Sequence, residues 1–321
     1  MKALIVDNDS PASARLVLSE IPQPRPAVGE LLVRVEAAGL NRADLALLKD
    51  HYTGNAIGGS EMAGVVVEAA GCPGYTVGDR VMALSKGAHA EYACVDHRLA
   101  VHVPENVDWP TAASLPAWYM TAHDAVFTQG RLCAGETVLV QGVTSGVGQA
   151  AARLARLAGA RVVIGAGRSA AKLEQLSEDE VTHRLITDGD WAARAQELTT
   201  GRGVDLVIDM VGGGSLVGNL HSLAVRGRIV AVGRLGGQAD MLDIGMLAHK
   251  RAQLIGVTFR TRSIDEKSQI ARAFADAVLP HVVAGRIRPR LDRIYPLAEI
   301  AAAQELMRRN EHFGKVVLAI R

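Results

Sequence analysis

A glycine-rich turn carries the clearest chemical signal in the sequence. Residues 137–148 read TVLVQGVTSGVG, and the segment QAAARLARLAGARVVIG follows. Glycines at 142, 146 and 148 let the backbone approach a pyrophosphate closely, and the phosphate charge then lies at the N-terminus of the next helix. The pattern predicts a strand, a turn and a helix that bind a dinucleotide, with an ordinary strand-to-helix turn as the alternative. The predicted binding residues are Gly142, Thr144, Ser145, Gly146, Val147 and Gly148.

The end of the next predicted strand, at residues 161–164, distinguishes between the two nicotinamide cofactors. An acidic side chain there would accept hydrogen bonds from the ribose of NAD, but no Asp or Glu occurs between Gly142 and Leu173. A guanidinium, a hydroxyl and an ammonium follow the strand instead, and this set suits the 2′-phosphate of NADP(H). A solvated basic loop is the alternative. The residues concerned are Gly167, Arg168, Ser169 and Lys172.

The patterning around these motifs changes once along the chain. Up to about residue 110, short alternating apolar runs such as ELLVRVEAAGL and GDRVMAL are punctuated by Gly and Pro, which predicts a small, mostly antiparallel β region. From Glu136 onward, runs such as TVLVQG, ARVVIGAG and GRIVAVG alternate with helical segments, which predicts a doubly wound parallel sheet. The last 60 residues add an amphipathic stretch from Ile264 to Val283, a helix through Met307 and the strand KVVLAI.

Length and composition exclude several classes of protein. A chain of 321 residues with 49% hydrophobic and 21% charged residues has enough apolar material for about two compact domains. The net charge of +1 and the small number of aromatic residues (three Trp, five Tyr and four Phe) argue against a nucleic-acid partner or an anionic membrane surface.

Targeting and cysteine patterns point to the cytoplasm. The longest uncharged stretches, 137–152 and 210–225, fall short of the roughly 20 apolar residues that a spanning helix needs. The N-terminus lacks the pattern of a cleavable signal. The cysteines Cys72, Cys94 and Cys133 form no C-x-x-C pair and are interpreted as reduced thiols.

Taken together, these segments resemble the zinc-independent quinone oxidoreductases of the medium-chain dehydrogenase/reductase superfamily, the relatives of zeta-crystallin. The similar segments are GLNRADL at 39–45, AGVV at 63–66, YTVGDRVMAL at 75–84, TSGVG at 144–148, VDLVIDMVGG at 204–213, GRIVAVG at 227–233, TFRTRS at 258–263 and GKVVL at 314–318. The resemblance implies an α/β protein with a GroES-like, mostly β catalytic domain at 1–120, completed by 258–321. It also implies a Rossmann NADP-binding domain at 121–257, with the cofactor in a cleft between the two.

The residues at the positions of a catalytic zinc argue against a metal. Zinc relatives carry a cysteine where this chain has Asn41, and a histidine before glutamate where it has Ser60. A catalytic zinc needs about three Cys, His or carboxylate ligands, so we expect none here. The segment Cys94–His97 offers a C-x-x-H half-site, but no second ligand pair accompanies it.

Without a Lewis acid, reduction of a conjugated acceptor is easier than oxidation of an alcohol, because the enolate or hydroquinone formed delocalises its charge. The resemblance implies that Asn41 and Tyr52 flank the cleft as hydrogen-bond donors. Asn41 can donate to a substrate carbonyl or to the nicotinamide, and Tyr52 can donate through its phenol or hold ribose and substrate in place. A structural role is the alternative for each: Asn41 capping the helix of RADLALL, or Tyr52 packing a loop. The resemblance also places Thr121, Gly233, Arg234, Phe259 and Arg260 around the nicotinamide, and Lys315 near the phosphates.

Four residues depart from the family pattern. Thr187 and Asp188 replace an asparagine and a tyrosine that often border the adenosine phosphate, and Asp188 would repel a 2′-phosphate if close. His89 stands where a small residue is usual, and Trp118 makes its segment bulkier than usual.

The sequence therefore predicts an NADPH-dependent reductase of quinones or α,β-unsaturated carbonyl compounds. An enoyl-thioester reductase on the same scaffold and a noncatalytic NADPH-binding protein are the alternatives. The resemblance also implies a homodimer that pairs Rossmann domains edge to edge, with VDLVIDMVGG and AQLIGVTF as candidate edge strands.

Overall fold

The computed structural model describes residues 1–7, 15–45, 56–69 and 71–321. The chain divides into two compact units. The first combines Met1–Met120 with Ser263–Arg321, and the second is Thr121–Arg262. The sequence predicted the corresponding junctions after residues 120 and 257.

The strands of the described residues are numbered in chain order. They are β1 (Lys2–Asp7), β2 (Arg15–Glu20), β3 (Glu30–Leu40), β4 (Glu61–Glu68), β5 (Arg80–Leu84), β6 (Tyr92–Asp96), β7 (Ala100–His102), β8 (Thr137–Gln141), β9 (Val162–Gly167), β10 (His183–Ile186), β11 (Val204–Asp209), β12 (Leu223–Ala231), β13 (Gln253–Gly256), β14 (Leu291–Pro296) and β15 (Lys315–Ala319).

The helices are numbered in the same way. They are α1 (Trp109–Ser114), α2 (Thr121–His123), α3 (Gly146–Leu157), α4 (Ala170–Glu174), α5 (Trp191–Glu197), α6 (Leu216–Ser222), α7 (Ile244–Lys250), α8 (Ile264–Ala277), α9 (Leu279–Val283) and α10 (Ile300–Arg308). Short 3-10 turns occur at His97–Leu99 and Leu297–Glu299, and wider π-type turns at Pro116–Met120 and Asp124–Gln129. In the described part of the chain, none of these helices has the length and apolar composition that a bilayer crossing requires.

A mostly antiparallel sheet forms the frame of the first unit. Its strand order is β14-β15-β3-β4-β5-β7, with β6 also paired to β3, and only β14 and β15 run parallel. The C-terminal strand β15 pairs with β3 in the register Val316 opposite Leu40. Alternate residues of β3, namely Leu31, Val33 and Val35, are fully buried in the same core as Val316. Because of this pairing, the two ends of the chain share one hydrophobic core.

A six-stranded parallel sheet forms the second unit, which confirms the predicted Rossmann architecture. Its order is β10-β9-β8-β11-β12-β13, and this is the order of a doubly wound fold, with its reversal between β8 and β11. Leu139, Ile164, Val207 and Ile229 come from four adjacent strands and are all fully buried in one core. Ligands of such sheets bind beyond the carboxyl ends of the strands at this reversal.

Two details differ from the sequence prediction. The amphipathic stretch from Ile264 to Val283 is two helices, because α8 ends at Ala277 and Pro280 lies in the first turn of α9. Proline lacks an N–H and is tolerated only at a helix start. The segment VDLVIDMVGG supplies no sheet edge: β11 pairs with β8 on one side and β12 on the other, so that prediction is wrong. The other candidate segment, AQLIGVTF, contains β13, which lies at an edge of the sheet.

Candidate functional site

The glycine-rich turn lies between β8 and α3, at the carboxyl end of the parallel sheet. Ser145 caps α3: its Oγ accepts a hydrogen bond from the Gly148 N–H at 3.2 Å and donates to the Gly142 carbonyl at 2.7 Å. Gly142 has a φ of +68°, which favours glycine. A Cβ at Gly148 would lie 2.5 Å from the Gly142 carbonyl oxygen. Both glycines are therefore required by the turn itself.

The start of α3 has the features that favour an anion. The first N–H groups of a helix lack intrahelical partners, and the helix dipole places partial positive charge there. The side chain of Gln149 donates to the Thr144 carbonyl at 3.1 Å and so fixes the turn from within the helix. The glycines carry no side chains, and Gly146 and Val147 are the first two residues of the helix. Their N–H groups therefore suit a pyrophosphate.

The basic loop after β9 lies at the same edge of the sheet as the glycine turn. Strands β8 and β9 are parallel neighbours, with Gln141 opposite Ala166. Arg168 and Ser169 follow directly and are exposed. Ser169 caps α4 by accepting a hydrogen bond from the Lys172 N–H at 3.3 Å. The side chains predicted to bind a 2′-phosphate thus follow the strand next to the pyrophosphate turn.

The loop after β10 contains the acid that departs from the family pattern, and a guanidinium pairs with it. Arg194 in α5 contacts the Asp188 carboxylate at 2.5 Å and the Asp188 carbonyl at 2.6 Å. The hydrogen bond from Arg194 holds the pKa of Asp188 below its usual range. The sequence analysis missed Arg194, because Asp188 follows a strand and Arg194 lies in the next helix, so the periodicity of a single element does not relate them.

Asp209, which the sequence analysis also missed, organises the loop that follows β11. Its carboxylate accepts hydrogen bonds from the N–H of Val211 at 2.7 Å, the Ser215 hydroxyl at 2.8 Å and the Asn219 amide at 3.0 Å. Burial raises the pKa of Asp209, and these hydrogen bonds oppose that shift. A Cβ at Gly233 would lie 2.3 Å from the Met210 carbonyl oxygen. The loops after β11 and β12 therefore approach each other as closely as glycine allows.

A buried ion pair fixes the segment that contains Phe259. Arg262 contacts the Asp124 carboxylate at 2.6 Å and donates to the Thr258 carbonyl at 2.9 Å. The Asp124 side chain has no exposed surface. The guanidinium carbon of Arg262 also lies 5.5 Å from the centre of the Phe259 ring. Of the residues predicted near the nicotinamide, Phe259 is held by Arg262 next to the helical segment that begins at Thr121. Arg260 is exposed.

In the first unit, Asn41 belongs to a buried polar cluster. Its amide nitrogen donates to Glu61 Oε1 at 2.7 Å and to Ser60 Oγ at 3.3 Å. Its amide oxygen accepts a hydrogen bond from Lys315 Nζ at 2.7 Å. Ser60 Oγ in turn donates to Asp44 Oδ1 at 2.7 Å. Because an ammonium is only a donor, the contact with Lys315 determines which amide atom of Asn41 is the oxygen.

These contacts bear on both interpretations of Asn41. The side chain does not cap the following helical turn; instead the Asn41 backbone N–H donates to Asp44 Oδ2 at 2.8 Å. Both hydrogens of the amide are already donated within the cluster. A donor role toward a substrate therefore requires exchange of the longer bond, that to Ser60.

Lys315 lies at the centre of this cluster, and its contacts argue against the predicted phosphate role. Its ammonium forms an ion pair with Glu61, and neither side chain has any exposed surface. The Nζ atom also lies 4.9 Å from the centre of the Trp118 ring. The register of Val316 with Leu40 places Lys315 beside Asn41. An ammonium so enclosed reaches a phosphate only if the cluster rearranges.

Burial shifts two further groups of the cluster in opposite directions. His89 is fully buried, with Nε2 3.4 Å from the Gly39 carbonyl oxygen, and burial lowers its pKa. Burial also raises the pKa of Asp44, and the nearby His89 and the hydrogen bond from Ser60 oppose that shift. His89 packs against Gly59, where a Cβ would lie 2.5 Å from its ring. The histidine that departs from the family pattern thus acts as a packed, uncharged core residue.

The other predicted catalytic residue, Tyr52, lies outside the described residues.

The cysteines are all free thiols: Cys72 is buried, Cys94 half-buried and Cys133 exposed. Burial raises the pKa of Cys94 to about 11, so it is protonated at neutral pH. In the C-x-x-H segment, His97 Nδ1 lies 2.8 Å from the Gly29 carbonyl oxygen and is engaged there.

The donor set at the zinc positions does not fit zinc. Zinc prefers thiolate, imidazole and carboxylate ligands, whereas Asn41 and Ser60 offer an amide and a hydroxyl. Of the carboxylates beside them, Glu61 is bound by the Lys315 ammonium, and Asp44 accepts hydrogen bonds from the Ser60 hydroxyl and the Asn41 N–H. Within residues 1–7, 15–45, 56–69 and 71–321, no group of three or more His, Cys, Asp or Glu side chains is arranged to hold a metal.

We expect purified protein to contain far less than one zinc per chain. If zinc bound Glu61, the buried Lys315 ammonium would lose its carboxylate partner and remain unpaired beside a second cation, which disfavours metal uptake. Elemental analysis after dialysis against zinc and then buffer tests this. A retained stoichiometric zinc, or loss of activity on chelation, would contradict the expectation.

Comparison with known proteins places this chain among dehydrogenases. Two family models match: "Alcohol dehydrogenase GroES-like domain" at residues 27–105 and "Zinc-binding dehydrogenase" at residues 146–276. The quinone oxidoreductase of Homo sapiens is 28% identical over 314 residues, which are 94% of this chain and 92% of that protein. A mycobacterial quinone oxidoreductase structure is 30% identical, with a TM-score of 0.86 and coverage of 99% of both chains.

Two further matches bear on cofactor and substrate. A mycobacterial protein solved in complex with NADPH is 30% identical, with a TM-score of 0.86, and the match covers 99% of this chain and 100% of that one. A phenolphthiocerol/phthiocerol polyketide synthase protein of Mycobacterium tuberculosis is 31% identical over 313 residues, 95% of this chain. This chain spans only 14% of the length of that synthase.

These similarities cover both units and extend nearly from end to end. The chain belongs to the medium-chain dehydrogenase/reductase superfamily of oxidoreductases, among its zinc-independent, quinone oxidoreductase-like members.

Proposed function

We propose that the protein is an NADPH-dependent reductase that transfers hydride to quinones or α,β-unsaturated carbonyl compounds without a metal. The observation that carries the proposal is the exposed Arg168, one strand away from the glycine turn at the carboxyl edge of the parallel sheet. Similarity to a mycobacterial protein solved with NADPH supports the same cofactor.

The residues of the second unit fit this cofactor. The turn from Gly142 to Gly148 would hold the pyrophosphate on backbone N–H groups at the start of α3. Arg168, Ser169 and Lys172 would hold the 2′-phosphate. The nicotinamide supplies the hydride when the cofactor is bound. Residues proposed to lie around its ring are Thr121, Gly233, Arg234, Phe259 and Arg260.

The polar cluster of the first unit is proposed to orient the substrate carbonyl. Lys315 and Glu61 fix the orientation of the Asn41 amide, and the hydrogen bond that it donates to Ser60 would be transferred to the substrate oxygen. A fixed amide donor stabilises the negative charge that develops on the oxygen when hydride adds to the conjugated carbon. Tyr52 is proposed as a second donor. The proton that completes the reaction can come from water.

The direct test measures oxidation of NADPH by a simple quinone and by an enone. The loss of NADPH absorbance reports the rate. NADPH deuterated at nicotinamide C4 should transfer deuterium to the enone carbon. Gly148→Ala should abolish turnover, because the added Cβ would lie 2.5 Å from the Gly142 carbonyl oxygen. Gly256→Ala is the matched control, since no atom lies within 4 Å of that added Cβ. Absence of turnover with every acceptor would leave a noncatalytic NADPH-binding protein as the better description.

An enoyl-thioester reductase is the second candidate, and similarity to a polyketide synthase favours keeping it. Both candidates use the same hydride donor and the same enolate chemistry, so cofactor binding does not distinguish between them. Comparison of kcat/KM for an enoyl thioester and for the matching simple enone does. A much higher value for the thioester would favour the second candidate.

The edge strand β13 supports a proposed homodimer. Leu254 in β13 is 45% exposed, although it is a large apolar residue on an unpaired edge of the described sheet. We expect Leu254→Lys to shift the protein toward monomer, because charge on an edge strand opposes pairing between strands. Val283→Lys, at a residue of α9 that is 50% exposed, is the control that should leave the mass unchanged. Sedimentation at micromolar concentration measures both, and a monomeric wild type would overturn the dimer.

A further inference from the structure

The loop after β10 leaves the sheet beside the basic loop after β9. The two strands are parallel, with Ile186 opposite Gly167, and the Thr187 N–H donates to the Gly167 carbonyl at 3.0 Å. Neighbouring strands lie about 4.8 Å apart, and Asp188 is one residue beyond Thr187. Asp188 therefore follows the strand next to the one that precedes Arg168, and a charge within about 10 Å of that loop would affect the binding of an anion there.

Arg194 holds Asp188 by both its backbone and its side chain. One guanidinium nitrogen contacts the Ile186 carbonyl at 2.8 Å, the Asp188 carbonyl at 2.6 Å and the Asp188 carboxylate at 2.5 Å. The guanidinium is thus positioned at the carboxyl end of β10 by two carbonyl groups. It forms an ion pair with the Asp188 carboxylate.

The surroundings of Asp188 would otherwise be strongly acidic. A surface cavity of about 490 Å³ lies at this corner. Its lining residues are Asp188, Gly189, Asp190, Ala193, Arg194 and Glu197. Three of them carry carboxylates, and Arg194 is the one base among them. Removal of that base would leave three negative charges beside the loop.

We propose that Arg194 is a specificity-determining residue, which acts by neutralising Asp188 so that the adjacent loop accepts the 2′-phosphate of NADPH. The inference rests on the proposed NADPH-dependent function. An aspartate without a cationic partner beside the basic loop would repel the 2′-phosphate of NADPH and would have no such effect on NADH, which lacks that phosphate. Arg194 therefore removes a repulsion that only NADPH would experience.

The state of Asp188 agrees with this role. The hydrogen bond from Arg194 holds the pKa of Asp188 below its usual range, so the carboxylate is ionised at neutral pH. An aspartate without that partner has a pKa of about 3.9 and is ionised at neutral pH as well. The negative charge of Asp188 is therefore present when Arg194 is replaced, and Asp188 stays ionised in the neutral pH range in which a reductase is assayed.

The test is the dissociation constants of NADPH and NADH, measured by titration of cofactor fluorescence, for wild type and four variants. Arg194→Gln keeps a donor for the carbonyl groups but removes the charge, and we expect about a three- to fivefold loss of preference for NADPH, as for an exposed ion pair. Arg194→Lys should retain most of the preference. Asp188→Asn/Arg194→Gln should restore it, because the acid that Arg194 masks is gone.

Arg202→Gln is the matched control. Arg202 pairs with Asp205 in the same unit, and Arg202→Gln removes one positive charge, as Arg194→Gln does. Arg202 differs in position, because it lies at the opposite end of the parallel strands from the cofactor turn. It should leave the preference unchanged. An equal change for both cofactors in Arg194→Gln, no change in either, or persistence of the loss in the double variant would overturn the proposal. A wild type that binds neither cofactor would instead refute the proposed function.

Discussion

Lys315→Met is expected to destabilise the first unit by about 3–5 kcal/mol, the cost of removing one partner from a buried ion pair. Neither the Lys315 nor the Glu61 side chain has exposed surface. Methionine fills the space of the lysine stem but leaves the Glu61 carboxylate without its cation. The measurement is the free energy of unfolding from urea titration, followed by circular dichroism.

Two variants make this experiment specific. Lys86→Met changes an exposed lysine in the same unit and should alter the free energy of unfolding by no more than about 0.5 kcal/mol. Lys315→Met/Glu61→Gln removes both charges and should be more stable than Lys315→Met alone, because no buried charge remains unpaired. A loss below about 1 kcal/mol in Lys315→Met would show that Glu61 is solvated, and our description of the cluster would then fail.

Arg168→Ala is expected to weaken NADPH binding about 10- to 100-fold and to leave NADH nearly unchanged. Hydrogen bonds to charged groups contribute about 1.5–3 kcal/mol, and about 1.4 kcal/mol is tenfold in affinity. Only NADPH carries the 2′-phosphate. Lys172→Ala should act in the same direction but less, because an ammonium lacks the fork of a guanidinium. Both losses should shrink as salt is raised.

The matched control for Arg168 is Arg161→Ala. Arg161 is also exposed and belongs to the same unit, but it precedes β9, at the end of the sheet away from the cofactor turn. Its loss should leave both dissociation constants unchanged. Equal weakening of NADH and NADPH in Arg168→Ala, or a wild type that prefers NADH, would show that this loop does not recognise the phosphate.

The local elements and the motif between them could be predicted from the amino-acid sequence alone. The run ELLVRVEAAGL predicted a strand over the residues that form β3, and the glycine spacing predicted the turn that Ser145 caps at α3. Such features depend on side-chain periodicity and on the φ angles that glycine allows, and both are evident within a few neighbouring residues. The change from alternating runs to strand-helix units likewise indicated two folds in one chain.

Contacts between residues far apart in the chain became evident only in the folded protein. Lys315 lies 274 positions from Asn41 and 254 from Glu61, and only the pairing of β15 with β3 brings them together. No local pattern identifies a buried partner of Lys315, and the family resemblance alone implied a position near the phosphates. The order of the strands was also evident only in the folded protein. Both β11 and β13 are apolar runs, but the crossovers place β11 inside the sheet and β13 at its edge. The neutralisation of Asp188 by Arg194 also depends on how α5 packs against β10, which side-chain periodicity does not specify.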